Sequence, residues 1–480
     1  MSQGSTSTSA PSVAEIDASC RLPLFVIFVS AAIWLLIGSL FGFISTLKFH
    51  DPNFLADTGW LTYGRTHPAA QNSFMYGFCL QAGLGVGLWL IARLGRTLVA
   101  HRWMVTIGAQ LWNLGVTVGV LGILAGDATG FENLDMPLYG ARIVFLGYLL
   151  FGIWAVLTFH QRRERVLFVS QWFILAALFW FPWIYSTAYL LLVGFPVRGV
   201  AQAVIAWWFS NNLSVVWLWL MGLAAAFYFV PRLAQTELQS RYLALLTFWT
   251  LILFGPWCGI PNSAPVPAWM PALSTSATLW MLIPLLAAAL SVFMTLRGKR
   301  ASLVSSVPLQ FIWLGMIGFF IAGLMNIAAV LPPVSQVLQF TWFTAARAQA
   351  NSYGYFSLVM FGAMYYIVPQ LAGIEFTSPK LVRLHLWVAA AGLVLIILPL
   401  AVGGLVQGLN LQDPAVDFLK ISRTTLTFLR ASTMGDVLLA AGHLLFAVNV
   451  IGVVRSFSRA RVTAAYATAT ASLFKPAGAP

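Results

Sequence analysis

Twelve apolar runs, each near the length that crosses a bilayer, follow one another along the chain with short polar connections between them. A helix rising 1.5 Å per residue needs about 20 apolar residues to span the hydrocarbon layer. It also satisfies its own backbone polar groups there, which irregular chain cannot do. The runs lie at about 22–47, 74–95, 104–126, 137–159, 166–193, 200–230, 242–260, 275–296, 308–331, 340–369, 381–405 and 433–455. Of the 480 residues only 8% are charged, against roughly 25% in soluble domains. The predicted class is therefore an all-α integral membrane protein, a bundle of twelve transmembrane helices, and soluble enzyme classes are excluded.

The 26 basic residues outnumber the 13 acidic ones, but they are scattered between apolar runs rather than gathered on one face, so topology explains them better than nucleic acid. With Arg21 and the C-terminal tail, the connections after runs 2, 4, 6, 8 and 10 carry 18 Lys and Arg, the opposite side carries seven, and Arg347 lies inside a run. The positive-inside rule then places both termini in the cytoplasm. Residues 1–20, rich in Ser, Thr and Ala with no basic residue before the first run, are expected to form a disordered cytoplasmic tail rather than a cleaved signal peptide. Residues 21–460 make one membrane domain and 461–480 a flexible cytoplasmic tail. Cys20, Cys79 and Cys258 form no Cys-x-x-Cys-His, zinc or disulfide pattern, so no covalently attached haem is expected.

The run at Phe340–Gln370 is polar in its first third, with Arg347, Gln349 and Asn351. A cation inside a membrane helix costs at least ~2.5 kcal/mol and normally marks a function or the remnant of one. Further on it reads Tyr353-Gly354-Tyr355-Phe356 and Tyr365-Tyr366-Ile367-Val368-Pro369. This segment resembles the tenth helix of the catalytic subunit of haem-copper oxidases, most closely the cbb3 type. In that family a Gly-His-x-His pattern precedes such a run, and the two histidine positions here are Arg347 and Gln349. Residues Tyr63-Gly64-Arg65-Thr66-His67-Pro68-Ala69-Ala70-Gln71-Asn72 resemble the segment that opens the family's second helix, with a low-spin haem ligand position at Ala70. Trp207-Trp208-Phe209-Ser210-Asn211-Asn212 resembles the family's Trp-Trp-Tyr-Gly-His-Asn, with a copper ligand position at Asn211. Between Phe248-Trp249 and Pro267-x-Trp269, two more copper positions fall within Gly259, Ile260, Pro261 and Asn262.

The resemblance thus implies the haem-copper oxidase subunit I fold with six imidazole ligands replaced. Imidazole nitrogen is what these metals take at such sites. The six histidines of the chain, His50, His67, His101, His160, His385 and His443, show no ligand spacing. The site expected instead is a polar cavity formed by Gln71, Asn72, Asn211, Asn212, Asn262, Arg347 and Asn351. Arg347 and Asn351 share a helical face and Gln349 points away by about 200°. No acidic residue is expected at that depth. Arg347 should then be held by amide oxygens such as those of Asn211 and Asn351, by backbone carbonyls, or by an anionic or carbonyl-bearing ligand such as a quinone.

The function expected is that of a non-catalytic scaffold, or a quinone- or partner-binding subunit, of a respiratory electron-transfer complex in the bacterial cytoplasmic membrane. Its partners would be other membrane subunits, a membrane-anchored cytochrome c and the lipid bilayer. A true terminal oxidase or nitric oxide reductase, with haem b and copper, is what the fold of the family implies, but the histidine count weighs against it. Transporter-like reuse of the bundle is a third reading, for which only Arg347 speaks. The topology is testable directly. With Ser240→Cys and Gln412→Cys made singly, an impermeant thiol reagent added to intact cells should label only the second, and labelling of the first would overturn the orientation.

Overall fold

In the computed structural model, which describes residues 11–376 and 378–473, the chain is helical throughout its membrane-spanning part. The twelve long helices are α1 (Val13–Leu47), α2 (Tyr63–Leu94), α3 (Arg102–Ala125), α4 (Leu138–His160), α5 (Val169–Gly194), α6 (Val200–Leu233), α7 (Arg241–Phe254), α8 (Trp269–Leu296), α9 (Val307–Ala328), α10 (Phe343–Ala372), α11 (Pro379–Gln412) and α12 (Phe418–Leu473). All but α7 are long and apolar enough to cross a membrane by themselves. The most central are α2, α6 and α10, whose most apolar windows are 94%, 83% and 83% buried, whereas the windows of α4, α9 and α11 are 39% buried and leave broad apolar faces outward. Outward apolar faces suit lipid, which costs them nothing.

Four departures from the expected boundaries have physical causes. The expected disordered tail 1–20 is helical from Val13, because Ser12 caps the helix in a box with Glu15 and Asp17 pairs with Arg93 at 2.8 Å while accepting from Trp89 Nε1. Residues 1–10 lie outside the described residues. Helix α2 begins at Tyr63, a polar decade before the apolar run, since its polar side chains find protein partners rather than lipid. Helix α7 gives way at Gly255, where Pro256 lacks an N–H to continue the ladder, to a 3₁₀ turn, Gly255–Trp257. Gly259–Asn262 is consequently loop at the bundle end, not helix as the run 242–260 implied. Finally, α12 extends well past both ends of its apolar run and includes residues 461–473 of the tail expected to be flexible. The alanine-rich sequence there favours helix, and residues 474–480 lie outside the described residues.

Four stretches are wound as π-helix: Ser73–Leu80, Leu190–Gly194, Asn212–Trp217 and Ala350–Ser357. Such wide turns are rare and gather at functional sites. Three of them start within three residues of Ala70, Asn211 and Gln349. The π stretch of α10 is held against α9 by a small-residue contact, since a Cβ on Gly318 would collide with the carbonyl of Gly354. Close backbone approach of this kind is how membrane helices pack without a hydrophobic drive.

The connection between α3 and α4 folds inward over the ends of α2, α5 and α6. Tyr76 Oη donates to Asn133 O at 2.6 Å, Tyr189 Oη to Met136 O at 3.0 Å, and Asn133 Nδ2 to Ser210 Oγ at 2.9 Å. Asn72 Nδ2 donates to Asp135 Oδ2 at 2.8 Å. Burial raises the Asp135 carboxyl to about 6 against the opposing effect of that hydrogen bond, with Glu132 adding to the rise.

Two outcomes follow for stability. Gly318→Ala should push α9 from α10 and lower the thermal midpoint by the equivalent of ~1–3 kcal/mol, whereas the same change at Gly152, where an added Cβ meets nothing within 4 Å, should be nearly silent. Folded Asp135 keeps its proton to about pH 6, while an unfolded aspartate releases it near ~3.9. The native state therefore binds more protons across that window, and stability falls as pH rises through it. Asp135→Asn preserves an acceptor for Asn72 and should remove up to ~3 kcal/mol of that fall, read as thermal midpoints from about pH 4 to 7.

Candidate functional site

A cavity of about 460 Å³ lies between α6, α8, α9 and α10, at the end of the bundle closed by the loops that follow α3, α7 and α9. Its polar wall is made by Asn211, Asn262, Asn326, Gln339, Arg347 and Asn351, together with Glu132 from the connection between α3 and α4. Its apolar wall includes Trp207, Trp219, Met281 and Phe343. Four of the expected polar residues, Asn211, Asn262, Arg347 and Asn351, are brought together here.

The amides are mostly committed to holding helices. Asn351 is the hub: its Oδ1 accepts from Trp219 Nε1 at 3.1 Å and from Asn326 Nδ2 at 3.2 Å, and its Nδ2 donates to Arg347 O at 2.9 Å. Through it α6, α9 and α10 are fixed to one another. Asn211 Nδ2 donates to Gly255 O at 3.0 Å, stitching α6 to the broken end of α7. Gly259 lies beside it with φ +102°, and a Cβ there would come within 2.6 Å of the Cβ of Asn211, so both conformation and space call for glycine. Asn262 donates to Val330 O at 2.9 Å and accepts from Thr275 Oγ1 at 2.6 Å. Ile260 N–H donates to Ser274 Oγ, and Ile260 and Pro261 complete that wall.

Arg347 points into the cavity, but not toward the partners expected for it. Its guanidinium donates to no protein group among the described residues; the oxygen of Asn351 is taken by Trp219 and Asn326. Its electrostatic partner is Glu132, which contradicts the expectation that no acidic residue lies at this depth. Glu132 is itself exposed, at the edge of the cavity that Arg347 lines. The two line one cavity without reaching ion-pair contact. Glu132 escaped sequence reasoning because a loop has no periodicity, yet a signal existed: residues 126–137 hold Asp127, Glu132 and Asp135 with no basic residue. Gln339 was missed too, and its buried Nε2 has no partner. Phe340, beside it at the mouth, is 77% exposed and holds the left-handed conformation at φ 61°, which a bulky residue adopts only where its surroundings demand it.

The remaining expected residues lie elsewhere. Asn212, adjacent to Asn211, turns away to accept from Trp180 Nε1 and donate to Trp208 O. Asn72 is buried against Asp135, and Gln71 is exposed. Gln349 is half-buried and outside the cavity lining. Ala70 packs toward α1, where a Cβ on Gly42 would lie 3.9 Å from its own. The histidines are dispersed: His443 Nε2 meets Tyr353 Oη at 2.6 Å and its Nδ1 meets Ser39, His385 Nδ1 meets Tyr365 Oη at 2.9 Å, His50 meets Thr433, and His67 stacks on Tyr63. His101 precedes α3 and His160 ends α4. None lines the cavity, and among the described residues no three His, Cys, Asp or Glu side chains come together as a metal site.

The model of the family described as cytochrome C and quinol oxidase polypeptide I matches residues 23–438. A cytochrome c oxidase subunit 1 homolog of Azorhizobium caulinodans is 26% identical over 459 residues, covering 89% of this chain and 81% of that protein. The cbb3-type cytochrome c oxidase subunit CcoN1 of Stutzerimonas stutzeri is 24% identical over 464 residues, 94% of each chain. Among solved structures, a heme-copper terminal oxidase dimer matches with a TM-score of 0.72 at 16% identity, over 90% of this chain and 84% of that one, which is a likeness of fold. The chain belongs to the cytochrome c and quinol oxidase polypeptide I family and has the twelve-helix fold of haem-copper oxidase subunit I.

Proposed function

We propose that this protein is a non-catalytic membrane subunit of a respiratory electron-transfer complex, one that keeps the subunit I bundle without assembling a haem-copper centre. The observation that carries this reading is the set of side chains at the positions that the resemblance gives to metal ligands. At the positions where the resemblance puts the copper and haem ligands stand Ala70, Asn211, Arg347, Gln349 and the stretch from Gly259 to Asn262. Amides bind these metals poorly beside imidazole, an arginine stays protonated and offers no lone pair, and alanine and glycine side chains offer no donor. The residues present do not fit two haems and a copper ion.

What the arrangement does support is a rigid platform. Asn351 ties α6, α9 and α10 together and Asn211 ties α6 to the end of α7, and the broad apolar faces of α4, α9 and α11 are available to lipid or to other membrane subunits. Among such partners a membrane-anchored cytochrome c is consistent with this family. The basic-residue asymmetry supports placement in a bacterial cytoplasmic membrane with both termini inside.

Elemental analysis and a reduced-minus-oxidised spectrum of the purified full-length protein test the reading. Copper far below one atom per chain and no haem band surviving purification are the expected results. Copper near stoichiometry, or a stable haem band, would refute it.

A further inference from the structure

We propose that the cavity beside Arg347 binds an aliphatic carboxylate, its two oxygens held by the Arg347 guanidinium and its chain laid against the apolar wall. This inference rests on the reading that no haem-copper centre occupies the space, and it concerns binding alone.

Arg347 lines a cavity of about 460 Å³, and among the described residues its guanidinium meets no carboxylate in an ion pair and donates to no oxygen. The amide oxygen one turn along the helix, that of Asn351, already accepts from Trp219 Nε1 and Asn326 Nδ2, so it is not free to serve the cation. Glu132 is exposed at the edge of the cavity, where solvent screens its charge. A guanidinium presents its N–H groups as a planar fork that matches the two oxygens of a carboxylate. A neutral ligand would leave this cation without a counter-charge inside the bundle, a costly state.

A second donor stands beside the first. Thr344 is three residues before Arg347, on the same face of α10, lines the same cavity, and its hydroxyl makes no hydrogen bond among the described residues. Both belong to the opening turns of α10, where the helix dipole adds a partial positive charge. The rest of the wall decides what the carboxylate is attached to. Trp207, Trp219, Met281, Leu338 and Phe343 line the space, and an apolar chain would take their surfaces out of water, which a small inorganic anion cannot do. The volume falls in the range of pockets for organic ligands, roughly 300–1,000 Å³.

The test uses the full-length protein in zwitterionic lipid nanodiscs, with empty nanodiscs as the partition control, and measures equilibrium binding of octanoate, tetradecanoate, octanol and acetate at neutral pH. Saturable binding of one octanoate or tetradecanoate per chain is expected, with octanol and acetate each weaker by about tenfold or more. Tighter tetradecanoate assigns the ligand to the fatty acids of the membrane, and tighter octanoate to soluble acids; either supports the proposal. Arg347→Lys keeps the charge but loses the fork, and should weaken the carboxylates by about tenfold while leaving octanol unchanged. Thr344→Val, which keeps the shape of the side chain, should weaken them by about threefold and serves as the test if the arginine variant does not fold. Octanol binding as tightly as octanoate would overturn the proposal in favour of an apolar pocket, and acetate binding as tightly would overturn it in favour of a small-anion site. No saturable binding of any probe, or affinities untouched by the substitutions in variants with unchanged thermal midpoints, would also overturn it. Haem and copper content measured on the same preparation separates the two failures: metal present refutes the non-catalytic reading, while absence of both metal and ligand refutes only this inference.

Discussion

A guanidinium between membrane helices costs at least ~2.5 kcal/mol, and in this bundle the opposing charge is brought from outside the helices altogether. Glu132 belongs to a loop, and loops normally stay at the surface because their backbone groups need partners. This one folds inward because α2, α5 and α6 supply those partners: Tyr76 for Asn133 O, Tyr189 for Met136 O and Ser210 for the Asn133 side chain. The tyrosines lie in apolar helices yet carry the hydroxyls that fix a polar loop. The position of the carboxyl group thus depends on three helices that do not carry the arginine.

The polar residues of the cavity divide between those spent on architecture and those left free. Asn351 engages both its amide oxygen and nitrogen, and Asn326 and Asn211 each donate to a neighbouring element, whereas the Nε2 of Gln339 has no partner. In a low-dielectric interior an amide bridge between helices is worth having only when both ends are satisfied, and Asn351 meets that condition with four hydrogen bonds to three residues.

The twelve apolar runs were legible because the bilayer imposes one length on all of them, and the facing of Arg347 and Asn351 followed from their four-residue spacing. What escaped was whatever the apolar signal does not report. Polar helix, as in Tyr63–Asn72 and Val13–Cys20, is invisible to a hydropathy window and forms because its side chains bond within the protein. The fate of Asn212 was also illegible: one residue beyond Asn211, it lies about 100° around the helix and opens a π stretch that no periodicity announces. Glu132 could be found only by noticing that a basic protein concentrates three of its 13 acidic residues in one short connection.

The far side of α10 shows why the cavity is confined to one face. There Tyr353 stacks on Phe74 with centroids 5.8 Å apart, and Phe361 meets Phe78 at 5.2 Å and Phe446 at 4.6 Å, with His385 at 4.8 Å. These rings join α2, α10, α11 and α12 into a column in which tyrosine hydroxyls meet His443 Nε2 and His385 Nδ1. Rings in edge and offset contact fill volume without leaving polar groups in need of partners. One face of α10 is therefore closed by aromatic packing, and the other lines the cavity through Arg347 and Asn351, with the π-helical stretch Ala350–Ser357 shared by both faces.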